Sequence, residues 1–389
     1  MEEKVSSRTT PSQSLGQFDF GEEPPPICSK QTQVFKNKFY PQTSQQEWNN
    51  WKWQIRNSIT TYEELSRIFG PNGYEVSEDI NLPLRITPYY ASLVKDPYGP
   101  IGKCVIPTKD ELIVSDYEEE DPLHEDKSSP VPGIIHRYPD RVLFLVTDFC
   151  SSNCRYCTRS RIISKNDINR KVWDPAIEYI RKHEEVRDVL LSGGDPLLLN
   201  DDSIEYLLNS LRSIEHIEIL RIGTKVPVVL PMRITNKLVN IMKRFHPLYL
   251  SIHFTHPDEL TEEVKEVCER LSNSGIPLGS QTVLLKGVND DIDTMKRLMH
   301  GLLRVRVRPY YIYKCDRTLG TSHFQVPISK GLEIMENLIG HTSGYAVPNF
   351  IFDSPFGKIR LLPENVKREN NVYTIKTFKG NTFVYEDVE

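Results

Sequence analysis

The sequence predicts an α/β protein whose main body is a partial, open βα barrel of about six units. An N-terminal helical extension and a C-terminal β-hairpin extension flank the barrel. Two observations carry this prediction: short apolar runs alternate with helical patterns from Arg141 onward, and an aromatic-rich helical pattern precedes them. Such alternation favours a parallel sheet with helices packed outside it. The units are too few for a closed eight-stranded barrel, so an open barrel is expected.

The N-terminal part divides into two expected segments. Residues 1–38 are polar and rich in Ser, Gln, Thr and Pro, which is typical of a flexible tail. Residues 39–130 are expected to form the helical extension, with one helix from Gln46 and a second over 57–69. The first helix places its large apolar side chains at Trp48, Trp51, Trp53 and Ile55.

The barrel is expected over 131–353. Its strands are predicted at 142–147, 187–192, 217–223, 248–254, 279–285, 306–313 and 345–352. Its helices are predicted at 173–184, 203–213, 235–245, 258–273, 291–303 and 328–338. In barrels of this kind the chemistry gathers at the carboxyl ends of the strands. The last segment, 354–389, alternates apolar and polar residues on both sides of a Lys-Gly-Asn turn and predicts a hairpin.

Composition narrows the class of protein. The 389 residues carry a net charge of −5, so no basic field would attract nucleic acid or a membrane surface. An apolar leader and a run of about 20 apolar residues are both missing, which predicts a cytoplasmic protein. The odd number of cysteines, 7, fits a reducing compartment better than a disulfide framework.

Three cysteines lie within eight residues, directly after the first predicted barrel strand. Cys150, Cys154 and Cys157 have the spacing C-x3-C-x2-C. Three thiolates on one loop can hold three irons of a cubane cluster and leave the fourth iron open. A zinc site would need a fourth Cys or His at a second short spacing, and none follows. The motif resembles that of radical S-adenosylmethionine (SAM) enzymes, which implies a [4Fe–4S] cluster whose open iron binds SAM.

A glycine pair follows the second predicted barrel strand. In Ser192-Gly193-Gly194-Asp195 the glycines permit close approach of the backbone to a ligand and turn conformations closed to other residues. Alone, the run is more often a plain turn from strand to helix. Here it resembles the Gly-Gly-Glu/Asp element with which radical SAM enzymes hold the methionyl amine. Gly193, Gly194 and Asp195 are therefore candidate SAM-binding residues.

Six motifs in fixed order make the resemblance more specific. They are the runs 136–141, 150–157, 190–195, 223–231, 308–316 and 340–345. Together they resemble the lysine 2,3-aminomutase family over roughly 39–385. Members of that family use SAM, a [4Fe–4S] cluster and pyridoxal 5′-phosphate (PLP) to move an amino group from the α to the β carbon. The resemblance implies the radical SAM type of barrel and an isomerase.

Residue roles follow from that resemblance. Lys358 matches the lysine that holds PLP as a Schiff base. Arg137 and Arg141 match phosphate ligands, and Tyr138 lies beside the pyridine ring. Arg159 matches the residue that binds the substrate carboxylate. His253 and Gln281 resemble positions that contact SAM or the cofactor, although a histidine on a strand is often only a core residue.

Asp316 and Asp353 match two family positions that bind the distal ammonium of lysine. Two carboxylates would repel a substrate with a side-chain carboxylate, so both acids favour a cationic amino acid: lysine first, then arginine or ornithine. Either aspartate alone is compatible with a helix cap or a turn. The implied partners are this small substrate and an electron donor of the flavodoxin or ferredoxin type, and a homodimer is left open.

One departure from the family pattern concerns the PLP lysine. The family has Pro-Gly-Gly-Gly-Gly-Lys, whereas this chain has the shorter Pro355-Phe356-Gly357-Lys358. Phe resists backbone conformations that Gly allows, so the loop must take a different course. This leaves open a PLP-independent radical SAM epimerase, dehydrogenase or desaturase of a basic amino acid. A non-catalytic iron–sulfur or zinc-binding regulatory module is a third alternative.

Overall fold

The structure is a computed structural model that describes residues 28–71, 82–165, 168–376 and 380–388. Its strands are β1 (Ile134–Tyr138), β2 (Arg141–Thr147), β3 (Asp188–Gly193), β4 (Ile219–Thr224), β5 (Leu248–His253), β6 (Leu278–Leu284), β7 (Arg308–Lys314), β8 (Asn349–Ser354), β9 (Gly357–Arg360), β10 (Val366–Glu369), β11 (Val372–Lys376) and β12 (Thr382–Glu386).

The helices of the same residues are α1 (Lys30–Phe39), α2 (Gln45–Trp48), α3 (Trp51–Arg56), α4 (Tyr62–Phe69), α5 (Pro88–Ala91), α6 (Pro100–Val105), α7 (Arg170–Lys182), α8 (Asp201–Arg212), α9 (Val226–Val229), α10 (Asn236–Met242), α11 (Glu262–Asn273), α12 (Ile292–Arg304) and α13 (Ile328–Leu338). Short 3-10 helices cover Lys109–Leu112, Asp126–Ser128, Pro196–Leu198, Pro231–Arg233, Lys243–Phe245, Pro257–Glu259, Ser322–Phe324, Gly344–Ala346 and Pro363–Asn365.

The barrel sheet contains β1 to β9 in chain order. Strands β2 to β8 are parallel, while β1 and β9 pair antiparallel at its two ends. Along β2 and β4 buried and half-buried residues alternate, so one face packs against the helices and the other faces the barrel interior. The predicted α/β fold class and the predicted barrel strands are confirmed.

The two edges of this sheet come together through side chains. The backbone N–H of Lys358 on β9 donates to the Tyr138 hydroxyl at 2.7 Å. Arg137 Nη1 donates to the Ser354 carbonyl at 3.2 Å. We call this line of contact between β1 and the β8–β9 hairpin the seam. Because of it, the barrel is nearly closed, whereas the sequence predicts an open one.

The N-terminal extension corrects two predictions. Helix α1 occupies 30–39 and the side chain of Ser29 caps it, so residues 29–38 are not part of a flexible tail. Residues 1–27 of that expected tail lie outside the described residues. The single helix predicted from Gln46 is divided into α2 and α3, because the side chain of Asn50 caps α3 by accepting from two backbone N–H groups. Trp48, Trp51 and Trp53 are buried, as predicted.

The C-terminal segment forms a three-stranded antiparallel sheet of β10, β11 and β12. The predicted hairpin is β11–β12, and its turn lies partly outside the described residues. The additional strand β10 has the sequence Val-Lys-Arg-Glu, which lacks the alternation that identifies a strand. None of the described helices combines the length and the apolar composition that crossing a membrane requires.

Candidate active site

A cavity of about 610 Å³ occupies the interior of the barrel. The inward side chains of the parallel strands and the loops at their carboxyl ends line it. Every site residue predicted from the sequence is among them: Arg137, Tyr138, Arg141, Cys150, Cys154, Cys157, Arg159, Gly193, Gly194, Asp195, His253, Gln281, Asp316, Asp353 and Lys358. The topology therefore brings together residues that lie up to 221 positions apart in the chain, from Arg137 to Lys358.

The cysteine loop leaves the carboxyl end of β2 and is anchored to the N-terminal extension. Arg155, between the second and third cysteines, is buried and pairs with Glu111 at 2.5 Å. Burial raises the pKa of the Cys157 thiol to about 11. Among the described residues no three Cys, His, Asp or Glu side chains converge closely enough for one metal ion. A cubane cluster does not require that convergence, because each thiolate binds a different iron.

The glycine pair lies directly against the cysteine loop. A Cβ added at Gly193 would be 2.1 Å from the Thr147 carbonyl oxygen, and one at Gly194 would be 2.4 Å from the Phe149 carbonyl oxygen. The backbone N–H groups of Gly194 and Asp195 donate to these same two carbonyls. Only glycine allows this approach, so the pair fixes the backbone that leads into Cys150.

Asp195 uses its carboxylate within the protein. It accepts hydrogen bonds from the Thr224 hydroxyl at 2.7 Å and from the backbone N–H of Lys225 at 2.7 Å. The backbone N–H groups of Val226 and Leu197 donate to it as well. These bonds hold the starts of two neighbouring loops together. The role of Asp195 in SAM binding stays a prediction, and the observed contacts are structural.

Arg159 is held by a residue that the sequence did not single out. Its Nε and Nη2 donate to the two carboxylate oxygens of Glu125 at 2.9 and 2.5 Å. Glu125 is buried, and Asp121 accepts from its backbone N–H at 3.0 Å. A guanidinium has five N–H donors. The side-on pair with Glu125 therefore leaves the Nη1 edge of Arg159 for a second acceptor.

Asp316 lies at the carboxyl end of β7 and accepts from the Thr158 hydroxyl at 2.6 Å. Burial, followed by the negative charge of Asp353, raises the pKa of Asp316 to about 7. Thr158 is adjacent to Arg159 in the chain. Arg159, the predicted carboxylate-binding residue, and Asp316, a predicted ammonium-binding residue, are therefore connected through Thr158.

Asp353 and Lys358 are cross-strand neighbours in the β8–β9 hairpin. The two-residue turn at Pro355-Phe356 places them opposite each other, and Lys358 Nζ pairs with Asp353 Oδ2. Enclosure in the barrel lowers the pKa of Lys358, but the Asp353 carboxylate outweighs this effect and moves the pKa above its usual range. Asp353 Oδ1 is buried and accepts no hydrogen bond from the described residues.

The predicted phosphate ligands differ in their surroundings. Arg137 donates to the carbonyls of Ser354 and Leu123, while its Nε is buried and has no acceptor among the described residues. Arg141 lies 3.7 Å above the Tyr138 ring and pairs with Asp140 at 2.7 Å. Both arginines are fixed in orientation by these contacts.

His253 and Gln281 are Cα partners on β5 and β6. Burial, with a further contribution from the nearby Lys225 ammonium, lowers the pKa of His253 to about 4. The imidazole is therefore neutral at physiological pH. Lys225 itself is buried and pairs with Glu259 at 2.8 Å.

Several charged residues of the cavity wall were not singled out from the sequence, among them Glu125, Lys225 and Arg221. Arg221 Nε donates to Asp188 Oδ1 at 2.7 Å. Lys225 lies within a quoted motif, and a charged residue at the end of a buried strand was an available signal. For Glu125 the sequence offered no such signal, because its partner Arg159 lies 34 positions further along the chain.

Comparison with known proteins agrees with this architecture. The Radical SAM superfamily profile matches residues 144–299, and the profile described as Lysine-2,3-aminomutase matches residues 335–389. L-lysine 2,3-aminomutase of Acetoanaerobium sticklandii is 50% identical over 364 residues, which are 90% of this chain and 88% of that protein. The enzyme of the same name from Clostridium subterminale is 49% identical over 373 residues, 93% of this chain and 88% of that protein.

Glutamate 2,3-aminomutase of Clostridioides difficile is also similar, with 41% identity over 355 residues, 88% of this chain and 84% of that protein. The similarity thus spans both the barrel and the extensions. Relatives of this identity and coverage share one fold and one reaction type. The chain belongs to the lysine 2,3-aminomutase family of the radical SAM superfamily, and it is an isomerase.

Proposed function

We propose that the protein is a PLP-dependent L-lysine 2,3-aminomutase. The names of the most similar relatives and the charge pattern of the cavity support this proposal. Arginine and ornithine share the chemistry of lysine at the distal end, and they are the next candidates.

The observation that carries the proposal is the Asp353 oxygen Oδ1, which is buried and accepts no hydrogen bond from the described residues. The Asp353 side chain is 9% exposed, and Arg137 Nη1 lies 3.9 Å from Oδ1, too far for a hydrogen bond. A buried carboxylate oxygen without a donor is costly, so this atom favours a ligand that brings its own N–H groups. Asp316 supplies a second carboxyl group on the same cavity wall. An alkylammonium ion satisfies both acids.

The opposite end of the substrate carries the α-carboxylate. Arg159 has its Nη1 edge available for a bidentate or charge-assisted hydrogen bond, while Glu125 holds the other edge. A glutamate substrate would place a second carboxylate near Asp316 and Asp353 and would be repelled. The two carboxyl groups therefore favour lysine over glutamate, the substrate in the name of the Clostridioides difficile relative.

The residues around Lys358 fit PLP. Lys358 offers the primary amine for a Schiff base, and the unpartnered Nε of Arg137 is suited to an anionic oxygen. Arg141 adds a second guanidinium near Tyr138. When bound, PLP supplies the conjugated system through which the amino group can migrate. Lys358 must leave Asp353 to take this role, so the hairpin pair has to be exchangeable.

Cys150, Cys154 and Cys157 would hold the cluster, and bound SAM would supply the radical that abstracts a hydrogen atom from the substrate. The chain's own contribution is to hold the substrate at both ends and to exclude water from the carboxyl end of the cavity. Buried residues such as Leu82, Leu123 and Asn153 line that end. We expect a low-potential flavodoxin or ferredoxin as electron donor, and a cytoplasmic location.

The proposal is tested by anaerobic incubation with dithionite, SAM, PLP and one amino acid at a time. L-lysine, L-arginine, L-ornithine and L-glutamate are compared, and products are identified by NMR and mass spectrometry. We expect β-lysine from L-lysine, and no β-amino acid when SAM or PLP is omitted. Formation of β-glutamate in preference to β-lysine would contradict the two-aspartate argument.

A second candidate follows from the tight β8–β9 hairpin, in which Lys358 is already paired with Asp353. This arrangement also suits a PLP-independent radical SAM enzyme that acts on a basic amino acid. In that case the incubation would consume SAM and change L-lysine equally well without PLP. The product would then be an epimer or a dehydrogenated amino acid rather than β-lysine.

A further inference from the structure

We propose that Arg221, oriented by Asp188, is a further ligand for the phosphate of PLP at the amino end of the barrel. The inference rests on the proposed PLP dependence and extends it by one binding residue. Arg137 and Arg141 were expected as phosphate ligands from the sequence, whereas Arg221 was not. Its assignment depends on four features of the structure.

The first feature is position. Strands β2, β3 and β4 begin side by side, and Arg141 and Asp188 are Cα partners. Arg221 reaches from β4 to Asp188, with Nε donating at 2.7 Å. All three side chains line the cavity. Two guanidinium groups thus border the same end of the barrel interior.

The second feature is the orientation of Arg221. Asp188 binds its Nε edge, and no other hydrogen bond of Arg221 occurs among the described residues. The paired Nη atoms are therefore available as a planar fork, the geometry that suits a phosphate. Asp188 and Arg221 are 16% and 23% exposed, so the pair is preorganised inside the barrel rather than mobile on its surface.

The third feature is access to solvent. Among the described residues that line the cavity, Tyr249 and Tyr310 are the exposed ones, at 42% and 39%. Tyr249 is the Cα partner of Arg221. The amino end is thus where the cavity meets water. A phosphate dianion placed there keeps part of its hydration, which makes its desolvation less costly than at the buried carboxyl end.

The fourth feature is proximity to the Schiff-base lysine. Lys358, Tyr311 and Arg221 all line the same cavity. The amine that would bind the aldehyde of PLP and the guanidinium that would bind its phosphate therefore border one cavity. Arg221 would then hold the phosphate of PLP, and Lys358 would hold its aldehyde.

The alternative is an ion pair that only fills the barrel interior. PLP and pyridoxal distinguish the two, because pyridoxal has the same ring and aldehyde but no phosphate. Both are titrated against the wild type and the variants Arg221→Gln and Arg221→Lys, with bound ligand followed by its absorption change. The matched control is Arg187→Gln, which removes an exposed arginine that pairs with Glu218 outside the cavity.

We expect Arg221→Gln to weaken PLP binding about tenfold or more and to change pyridoxal binding by less than about twofold. Arg221→Lys keeps the positive charge but loses the planar pair of Nη donors, so its PLP affinity should lie between those of the wild type and Arg221→Gln. The PLP affinity of Arg187→Gln should match that of the wild type. Equal losses for PLP and pyridoxal, or no loss for PLP, would overturn the assignment. A wild type that binds neither ligand would instead refute the proposed PLP dependence itself.

Discussion

At the scale of single residues, Asp316 has a raised pKa that makes the stability of the fold depend on pH. Its pKa is raised to about 7 by burial and by Asp353, whereas an aspartate in an unfolded chain has a pKa near ~3.9. Between these values the unfolded chain releases a proton that the folded protein retains. The free energy of unfolding therefore falls as the pH rises from about 4 to about 7.

Asp316→Asn removes this dependence, because an amide does not ionise. We expect the variant to gain about 2 kcal/mol relative to the wild type between pH 5 and pH 8, measured by urea unfolding of the substrate-free protein. Asp202→Asn, at an exposed position of α8, is the control and should show no such gain. If the variant and the wild type differed in free energy of unfolding by the same amount at pH 5 and pH 8, Asp316 would be ionised over this whole range.

The Lys358–Asp353 pair gives a second prediction at this scale. In protein without PLP, the Lys358 ammonium occupies the carboxylate that the ammonium of L-lysine would need. Lys358→Met should therefore strengthen binding of L-lysine by about tenfold, measured by calorimetry on PLP-free protein. L-norleucine lacks the distal ammonium and is the matched ligand, whose binding should stay unchanged. Equal gains for both ligands would point to a simple steric effect.

At the scale of elements, the turn after β3 and the cysteine loop act as one unit. Gly194→Ala would place a Cβ 2.4 Å from a backbone oxygen of that loop, so the loop has to move. We expect a loss of about 1–3 kcal/mol in the free energy of unfolding and a lower iron content after anaerobic reconstitution. Gly344→Ala, where an added Cβ has no atom within 4 Å, should leave both unchanged.

The elements also mark where sequence-based prediction succeeds. The barrel strands were predicted because they are short apolar runs that alternate with helical patterns. Strand β10 and helix α1 were missed because their residues are mostly polar, and packing rather than composition decides their structure. The break between α2 and α3 depends on one asparagine side chain, Asn50, whose capping bonds a helical pattern does not reveal.

At the scale of the whole molecule, the last residues hold the C-terminal sheet to the barrel. Asp387 accepts from the backbone N–H of Ile328 at the start of α13 and pairs with Lys314 at 3.3 Å. Both charged side chains are almost fully buried, and Lys314 also lines the active-site cavity. The C-terminal end of the chain is therefore coupled to the site.

Asp387→Ala would leave the buried Lys314 ammonium without its counter-ion. We expect a loss of about 3 kcal/mol in the free energy of unfolding, measured by urea titration. Glu336→Ala, which removes an exposed glutamate from α13, is the control and should change stability little. If Asp387→Ala also changed the free energy of unfolding little, Lys314 would have to be uncharged or hydrated in the folded protein.

The motifs predicted which residues belong to the candidate site, and all of the predicted residues line one cavity. What could not be predicted are the partners that hold those members: Glu125 for Arg159, and Asp188 for Arg221. Such pairs join segments that are far apart in the chain, and a single sequence carries no signal of their proximity. The roles of the motif residues remain predictions that the experiments above test.

The seam between β1 and the β8–β9 hairpin has a consequence for solubility. An exposed edge strand offers unpaired backbone groups to strands of other molecules and promotes aggregation. Here the two edges of the sheet face each other, and Tyr138 and Arg137 bond the backbone of the opposite edge. The same side chains that line the cavity thus shield the barrel from edge-to-edge association. Substitutions at the seam should first become apparent as a shorter shelf life in concentrated solution.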